Sequence, residues 1–537
     1  MEIPVTLVTW VAAALPIIVL LILMLKCGWG ATEAAPIGVL TALVIATTVF
    51  KSDLQLIAME SAKGIWSALT VLLVVWTAIL LFEVASEAKA FRVFRAGMQN
   101  FTPNELLQVL ILGWIFESFL QGITGFGVAV AVGAPLLVGI GVAPIWAVLI
   151  PLIGHSWANT FGTLAVAWDA LVSSANLTAD PVLLLRTALW AGIFIWIWNI
   201  ILGISICWFY GKMPAVKKGL PAVIIISLIQ GGGQLLLGQV NQTLCAFVPC
   251  CIALVVSLLL GKTKWYNTPW KIENSKIMDE KFAASASEDY PQDMSLMQAF
   301  MPYFVLTGIT LFVLLIAPVK AFLGQVSIGF DFPEMRTGYN YIVPAVKRFS
   351  SYTPFTHASM FLLLASVIGL VFFRRHNWIS KEGTKSILMK SIEKTVPSGI
   401  AVIGFIVMSR IMGGTGMTVV LAEGIAGVFG PAYTWLAAVI GMLGAFMTSS
   451  NMASNILFAE FQLTTANILG LDPAGVLAAQ TAGGAIGNTI CPGNIILGTT
   501  TAGILGKEGL VLKKVLPITV IAAVIVGGVL FITQVVM

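Results

Sequence analysis

Phe119-Leu-Gln-Gly-Ile-Thr-Gly-Phe-Gly127 is a polar, glycine-rich interruption in an apolar run long enough to cross a membrane. Hydrocarbon offers no hydrogen-bond partners, so a backbone that leaves the helix at that depth must be satisfied by protein or water. Such breaks line cavities, and in transporters they are where substrate and ions sit.

Of the 537 residues, 58% are hydrophobic and 10% charged, against about 25% charged in a typical soluble domain. Apolar blocks of about 20 residues, the length that crosses a ~30 Å hydrocarbon core, recur along the chain. The pattern predicts an all-α polytopic integral membrane protein; a membrane β-barrel would show short alternating segments instead. The formal net charge of +5 lies in loops, where Lys/Arg bias sets membrane orientation and does not point to nucleic acid. The six cysteines form no C-x-x-C pair and read as small buried hydrophobes. No basic residue precedes the first apolar run, Val5–Leu25, which reads as a membrane helix rather than a cleaved signal.

Apolar spans lie near 64–84, 105–120, 126–142, 145–168 and 183–209, with an extra pair at 219–238 and 243–261. After a polar loop they resume, with later spans near 394–411, 432–448, 456–470, 474–490, 493–505 and 513–535. Several are too short to cross alone, so about 12 to 14 transmembrane helices are expected, with re-entrant or broken pieces, in two inverted repeats. The expected organisation is a first transmembrane repeat over 1–211, a linker helix pair over 212–262, a polar loop over 263–297 and a second repeat over 298–537.

The repeat rests on an offset of 329, which carries Asn159-Thr160 onto Asn488-Thr489 and Gln121-Gly122 onto Ser450-Asn451. Identity between the halves is slight, and a chance offset among similar apolar blocks is the competing account. Charge separates the two. Loop 85–104 holds Lys89, Arg92 and Arg95, while its counterpart 414–433 has no basic residue. Loop 51–63 holds only Lys51 and Lys63, whereas 374–394 holds Arg374, Arg375, Lys381, Lys385, Lys390 and Lys394. Cytoplasmic loops carry the Lys/Arg excess, so equivalent loops face opposite sides, and the N-terminus lies outside.

Four polar clusters lie at membrane depth. They are Gln121 with Thr124, Gly125 and Gly127; Gly154–Gly162; Thr448–Asn455; and Gly483–Pro492 followed by Asn494. Under the repeat they form two matched pairs, each a break followed by an Asn-Thr helix end. Helix N-termini at breaks present free N–H groups and a positive dipole end that suit a carboxylate. The competing account is contact between helices, for which small and hydroxyl residues are common in membranes. The expected substrate contacts are Gln121, Thr124, Gly125, His155, Asn159, Ser450, Asn451, Ser454, Asn455, Asn488 and Thr489.

Ionisable residues inside a bilayer cost about 2.5–3.5 kcal/mol or more each. Glu117, one turn before Gln121, is the expected ion-coupling carboxylate. His155 either titrates near neutral pH or hydrogen-bonds the substrate. Glu83, Glu87, Asp169, Arg410 and Glu460 lie near span ends, where snorkelling is the ordinary account. Depth argues against Arg410 as a fork for a substrate carboxylate.

The chain has no G-x-x-x-x-G-K-[ST] loop, which argues against an ATP-driven pump. Three histidines, one of them deep, make no metal or haem site, and no cofactor is expected. A membrane-embedded enzyme would need a dense set of acids, bases or metal ligands at one depth. A channel would differ from a transporter in lacking saturable uptake.

At these clusters the chain resembles the L-lactate permease family of bacterial secondary transporters. The matching segments are Phe119–Gly127, Leu136-Leu-Val-Gly-Ile-Gly141, Thr448–Phe458 and Thr481–Glu508 with its Gly506-Lys-Glu508 ending. The resemblance implies uptake of short 2-hydroxy monocarboxylates such as lactate and glycolate across a bacterial cytoplasmic membrane, usually by proton symport. Its implied partners are a small organic anion, a coupling cation (H+ or Na+) and the lipid bilayer. The chain departs from the family pattern in four places. Gln121 replaces the acid of Phe-Leu-Glu-Gly, and Asn451 replaces an Asp in the second break. Glu117 also stands where a small residue is usual, and His155 where Asn is. An amide cannot take up a proton; Glu117 shares a helix face with Gln121 and is the expected replacement. Without proton coupling, Na+ coupling, exchange or facilitated diffusion remain, and the anion could be a sulfonate or a larger hydroxy acid.

Overall fold

The computed structural model describes residues 3–27, 29, 31–93, 102–125, 127–279 and 293–536. Arg95 and Phe126, named above, lie outside the described residues, as does 280–292 of the polar loop. The principal helices are α1 Leu7–Leu21, α2 Ala31–Thr48, α3 Leu54–Glu87, α4 Glu105–Ile123, α5 Val128–Gly139, α6 Pro144–Ser156, α7 Gly162–Ser174, α8 Pro181–Gly238 and α9 Phe247–Leu260. They continue as α10 Met301–Leu315, α11 Ala317–Leu323, α12 Ala358–Arg375, α13 Lys381–Gly414, α14 Met417–Phe429, α15 Tyr433–Thr448, α16 Asn451–Leu469, α17 Pro473–Gly487, α18 Pro492–Thr501 and α19 Glu508–Phe531.

Among the described residues, seven helices are long and apolar enough to cross a membrane, or eight if α10 and α11, bent by 89°, form one span. The sequence count of about 12 to 14 is larger because it counts apolar runs. Two runs sit within α8, where the backbone leaves the helix at Gly211 and Lys212. The two arms fold back on each other, Asn199 Nδ2 donating to Gln230 Oε1 at 3.0 Å. Other runs form shorter helices such as α5 and α9, each too short to span a ~30 Å core alone. Burial sorts the layers. The apolar window of α4 is 94% enclosed by protein, whereas that of α19 is 44% enclosed and leaves Val520 and Ile521 exposed as a lipid-facing surface.

One element departs from the all-α expectation. In the loop before α12, Ile328–Phe332 pairs antiparallel with Val346–Tyr352, and Met335–Arg336 pairs with Ile342–Val343. The β-branched and aromatic residues there favour a pleated, half-buried surface.

The halves share an element order at the offset of 329. α3 and α13 are each 34 residues long. α6 and α17 open on Pro144 and Pro473, whose fixed φ suits the first helical position. Both end in a 3₁₀ turn, Trp157–Asn159 and Asn488–Ile490. Gly154 and Gly483 fill equivalent positions of close approach. A Cβ there would lie 1.9 Å from Gly113 O and 2.0 Å from Ala438 O respectively, so only glycine lets α6 reach α4 and α17 reach α15.

α3 and α13 pack antiparallel. Gly414 meets Glu60, Val407 meets Gly64, Gly399 meets Leu72, and Lys394 pairs with Glu83. Equivalent helices running in opposite directions are the geometry of an inverted repeat. Glu87 also pairs with Lys390 at 3.5 Å, so the basic segments after α3 and at the start of α13 share one end of the molecule. The opposite end carries the β segment and Lys51, whose carbonyl accepts from Gly338 N at 3.0 Å.

The register slips at the breaks. Gln121 lies in α4 before its break, whereas Ser450 caps α16 after its break, so the two are not structural equivalents. The second break is shorter, and α16, 19 residues against 12 in α5, restores the offset.

Candidate functional site

α4 ends at Ile123, and left-handed backbone at Gly125 (φ 59°) and Gly127 (φ 79°) turns the chain into α5, a conformation glycine adopts at little cost. In the second half Ser449 (φ 55°) takes that conformation. Ser450 then caps α16, its hydroxyl accepting from Ala453 N at 3.3 Å, which satisfies one free helix-end donor. The two breaks meet. Gln121, Gly127, Asn159, Thr163, Ser449, Ser450, Asn451, Asn488 and Asn494 line one cavity of about 50 Å³.

Three of its side chains carry a buried atom with no hydrogen-bond partner among the described residues: Gln121 Oε1, Asn159 Nδ2 and Asn451 Oδ1. Buried polar atoms are normally paired, so one donor and two acceptors stand uncommitted at the meeting point of the breaks. Other polar atoms there bond within and across the halves. Asn451 Nδ2 donates to Thr160 Oγ1 at 3.2 Å, and Thr160 Oγ1 lies 3.1 Å from Thr481 Oγ1. Asn488 Oδ1 accepts from Asn494 Nδ2 at 2.5 Å.

The structure brings Gln121, Asn159, Ser450, Asn451 and Asn488 to the cavity. The other expected contacts lie behind it. His155 backs Asn488, with Nε2 3.2 Å from its Oδ1 and Nδ1 2.6 Å from Pro151 O. Thr124 bonds back to Leu120 O at 2.9 Å. Ser454 donates to Gly441 O at 2.8 Å and accepts from Gln480 at 3.0 Å, binding α16 to its neighbours. Asn455 donates to Ala167 O and Thr481 Oγ1, each at 2.9 Å. Thr489 bonds Ile486 O at 2.8 Å and Thr519 at 2.7 Å. Gly125 serves close approach, since a Cβ there would lie 2.1 Å from Thr163 Oγ1. Glu117 lies against Gly133 of α5, buried, with both carboxylate oxygens lacking a hydrogen-bond partner among the described residues.

Thr163 and Asn494 were not among the expected contacts. Thr163 sits four residues after Asn159 in a left-handed turn, Thr163–Ala165, that opens α7; its signal was a hydroxyl just past the end of the second cluster. A larger cavity of about 520 Å³ lies beside the first, and Val166 lines both. Asp169 of α7, Arg410 of α13 and Glu460 of α16 line it together with the β segment. Read singly, these residues are span-end charges; the fold gathers them at one place.

Broken helices around a buried polar cavity are the arrangement found in multi-pass membrane transporters. The profile of the L-lactate permease family matches residues 9–537, and the chain belongs to that family. The L-lactate permease of Escherichia coli K12 is 26% identical over 96% of this chain and 94% of its own. The glycolate permease GlcA of the same organism is 24% identical over 96% and 94%. The L-lactate permease of Halalkalibacterium halodurans is 25% identical over 94% and 93%. Among solved structures, the YdaH transporter of Alcanivorax borkumensis aligns over 86% of this chain and 84% of its own, at 15% identity and a TM-score of 0.41.

Proposed function

We propose that this protein is a secondary transporter that carries short 2-hydroxy monocarboxylates such as L-lactate or glycolate across the bacterial cytoplasmic membrane, coupled to a cation. The observation that carries the reading is the meeting of both breaks at one cavity, with Gln121 Oε1, Asn159 Nδ2 and Asn451 Oδ1 uncommitted. An amide N–H suits a carboxylate, and the amide oxygens suit a 2-hydroxyl. A volume of about 50 Å³ holds only a few waters, so substrate enters as the halves move apart, which is alternating access. The two moving units are the repeats 1–211 and 298–537, with 212–262 as linker pair and 263–297 as polar loop. The end bearing Lys390 and Lys394 is cytoplasmic.

Glu117 is the coupling carboxylate in this reading, one turn from Gln121. A second reading has a specific support: among the described residues lining the central cavity, none is a carboxylate. Na+ symport, exchange or a different anion such as a sulfonate then replaces proton–lactate symport. Counterflow in proteoliposomes with a panel of organic acids, run with and without proton and sodium gradients, separates them. Saturable L-lactate or glycolate counterflow, accelerated by an inward proton gradient, is the expected result. Its absence for every monocarboxylate tested overturns the proposal.

A further inference from the structure

The larger cavity holds a cation, Arg410, that forms no direct ion pair among the described residues. Arg410 is half-buried; its Nη2 donates to Ser173 O at 2.9 Å and its guanidinium stacks 4.9 Å from the Phe349 ring centre. Those two contacts fix the plane of the group and use one of its five N–H donors. Asp169 and Glu460 line the same cavity, and Glu460 is near enough for its charge to act on Arg410, yet among the described residues no carboxylate forms a direct ion pair with the guanidinium. Lys347 and Arg348 of the β segment also line the cavity, so its permanent cations outnumber its acids. A guanidinium held flat with most of its N–H donors unused is a fork for a carboxylate.

The cavity is also on the way to the central site. On α16, Met452 lines the central cavity while Ile456 and Glu460 line the larger one; on α7, Val166 lines both. Successive residues four apart are about one turn, ~6 Å, along a helix.

We infer that the larger cavity is the entry vestibule and that Arg410 is the first docking point for the substrate carboxylate, which then passes Val166 to the central amides. Phe349 and the Ser173 carbonyl hold the fork open, and Lys347 and Arg348 draw anions towards it. The inference rests on the proposed monocarboxylate substrate.

Phenylglyoxal modification of Arg410 in the wild-type protein in nanodiscs, read by peptide mass spectrometry, tests docking without requiring transport. L-lactate at about ten times its dissociation constant should slow the modification about ten-fold, and the uncharged lactamide should leave it within about two-fold. In proteoliposomes, Arg410→Gln should raise KM for L-lactate about ten-fold or more with the maximal rate within about three-fold, Arg410→Lys falling between. Equal protection by lactate and lactamide, or none by either, overturns the inference even if lactate is transported. Protection by lactate without lactate flux leaves the docking point standing and removes the proposed substrate.

Discussion

His155 and Asn488 meet across the two halves, Nε2 lying 3.2 Å from Oδ1 although they stand 333 positions apart in the chain. The Pro151 carbonyl, 2.6 Å from Nδ1, can only accept, so Nδ1 carries a hydrogen. An Asn488 oxygen facing Nε2 requires a hydrogen there too, which makes the ring cationic. If the ring is neutral, the Asn488 amide turns over and Asn494 turns with it. The protonation of His155 and the amide face that Asn488 offers the cavity are therefore locked together. His155→Ala should lower the maximal uptake rate about ten-fold or more, and Asn488→Asp, which adds a negative charge where an anion binds, about a hundred-fold. Initial uptake rates against L-lactate concentration measure both; wild-type kinetics in the two variants would remove the pair from the transport cycle.

Glu117 packs against the bare Cα of Gly133 with neither oxygen hydrogen-bonded among the described residues. Glu117→Gln keeps the shape and removes the titratable group. It should abolish pH-driven uptake while counterflow of unlabelled for labelled substrate survives. An unchanged pH dependence of uptake in proteoliposomes sinks the coupling role.

Two glycines should behave oppositely. A Cβ on Gly484 would lie 2.0 Å from Asn451 Oδ1, while one on Gly308, in α10, meets nothing within 4 Å. Gly484→Ala displaces Asn451 from the cavity and should cut uptake about ten-fold or more. Gly308→Ala should leave uptake unchanged and stabilise the protein by about 0.4–1 kcal/mol, by narrowing the unfolded chain's freedom. Thermal unfolding and uptake of both variants check the contrast.

His357 caps α12, its Nδ1 taking Ser359 N at 3.5 Å, and its ring stands edge-on to Tyr352 with centroids 4.9 Å apart. Burial lowers its pKa from 6.5 to about 4. Between those values the unfolded chain binds more protons than the folded one, so stability rises with pH. The stability is fully present above about pH 6.5 and declines as pH falls towards about 4. His357→Gln should flatten this slope in melting temperatures measured from about pH 4 to 7. Parallel slopes in variant and wild type would contradict the assignment.

Much of the fold was legible because hydropathy reports depth. The glycines of Phe119–Gly127 act locally, and they stand at the break between α4 and α5 where the reading put it. Direction around a helix is another matter. Ser454, Asn455 and Thr489 share the composition of the cavity residues, yet their partners on other helices draw them into the packing. Asp169, Arg410 and Glu460 come from three separate helices, and no spacing along the chain announces that they share a cavity. The Gln121–Ser450 equivalence failed because a constant offset cannot register a shorter break compensated by a longer helix.

The approaches at Gly154 and Gly483 have a mechanical consequence. Each joins backbone to backbone, and such a contact has no rotamer through which to yield. Across the seam, by contrast, the halves are held by side chains such as Asn451 on Thr160, Thr160 on Thr481, and His155 on Asn488. Each such bond nets only about 0.5–1.5 kcal/mol once water can replace it. Around the central cavity, then, the contacts at Gly154 and Gly483 are unyielding, while the bonds that join the two halves there run through side chains that can exchange partners.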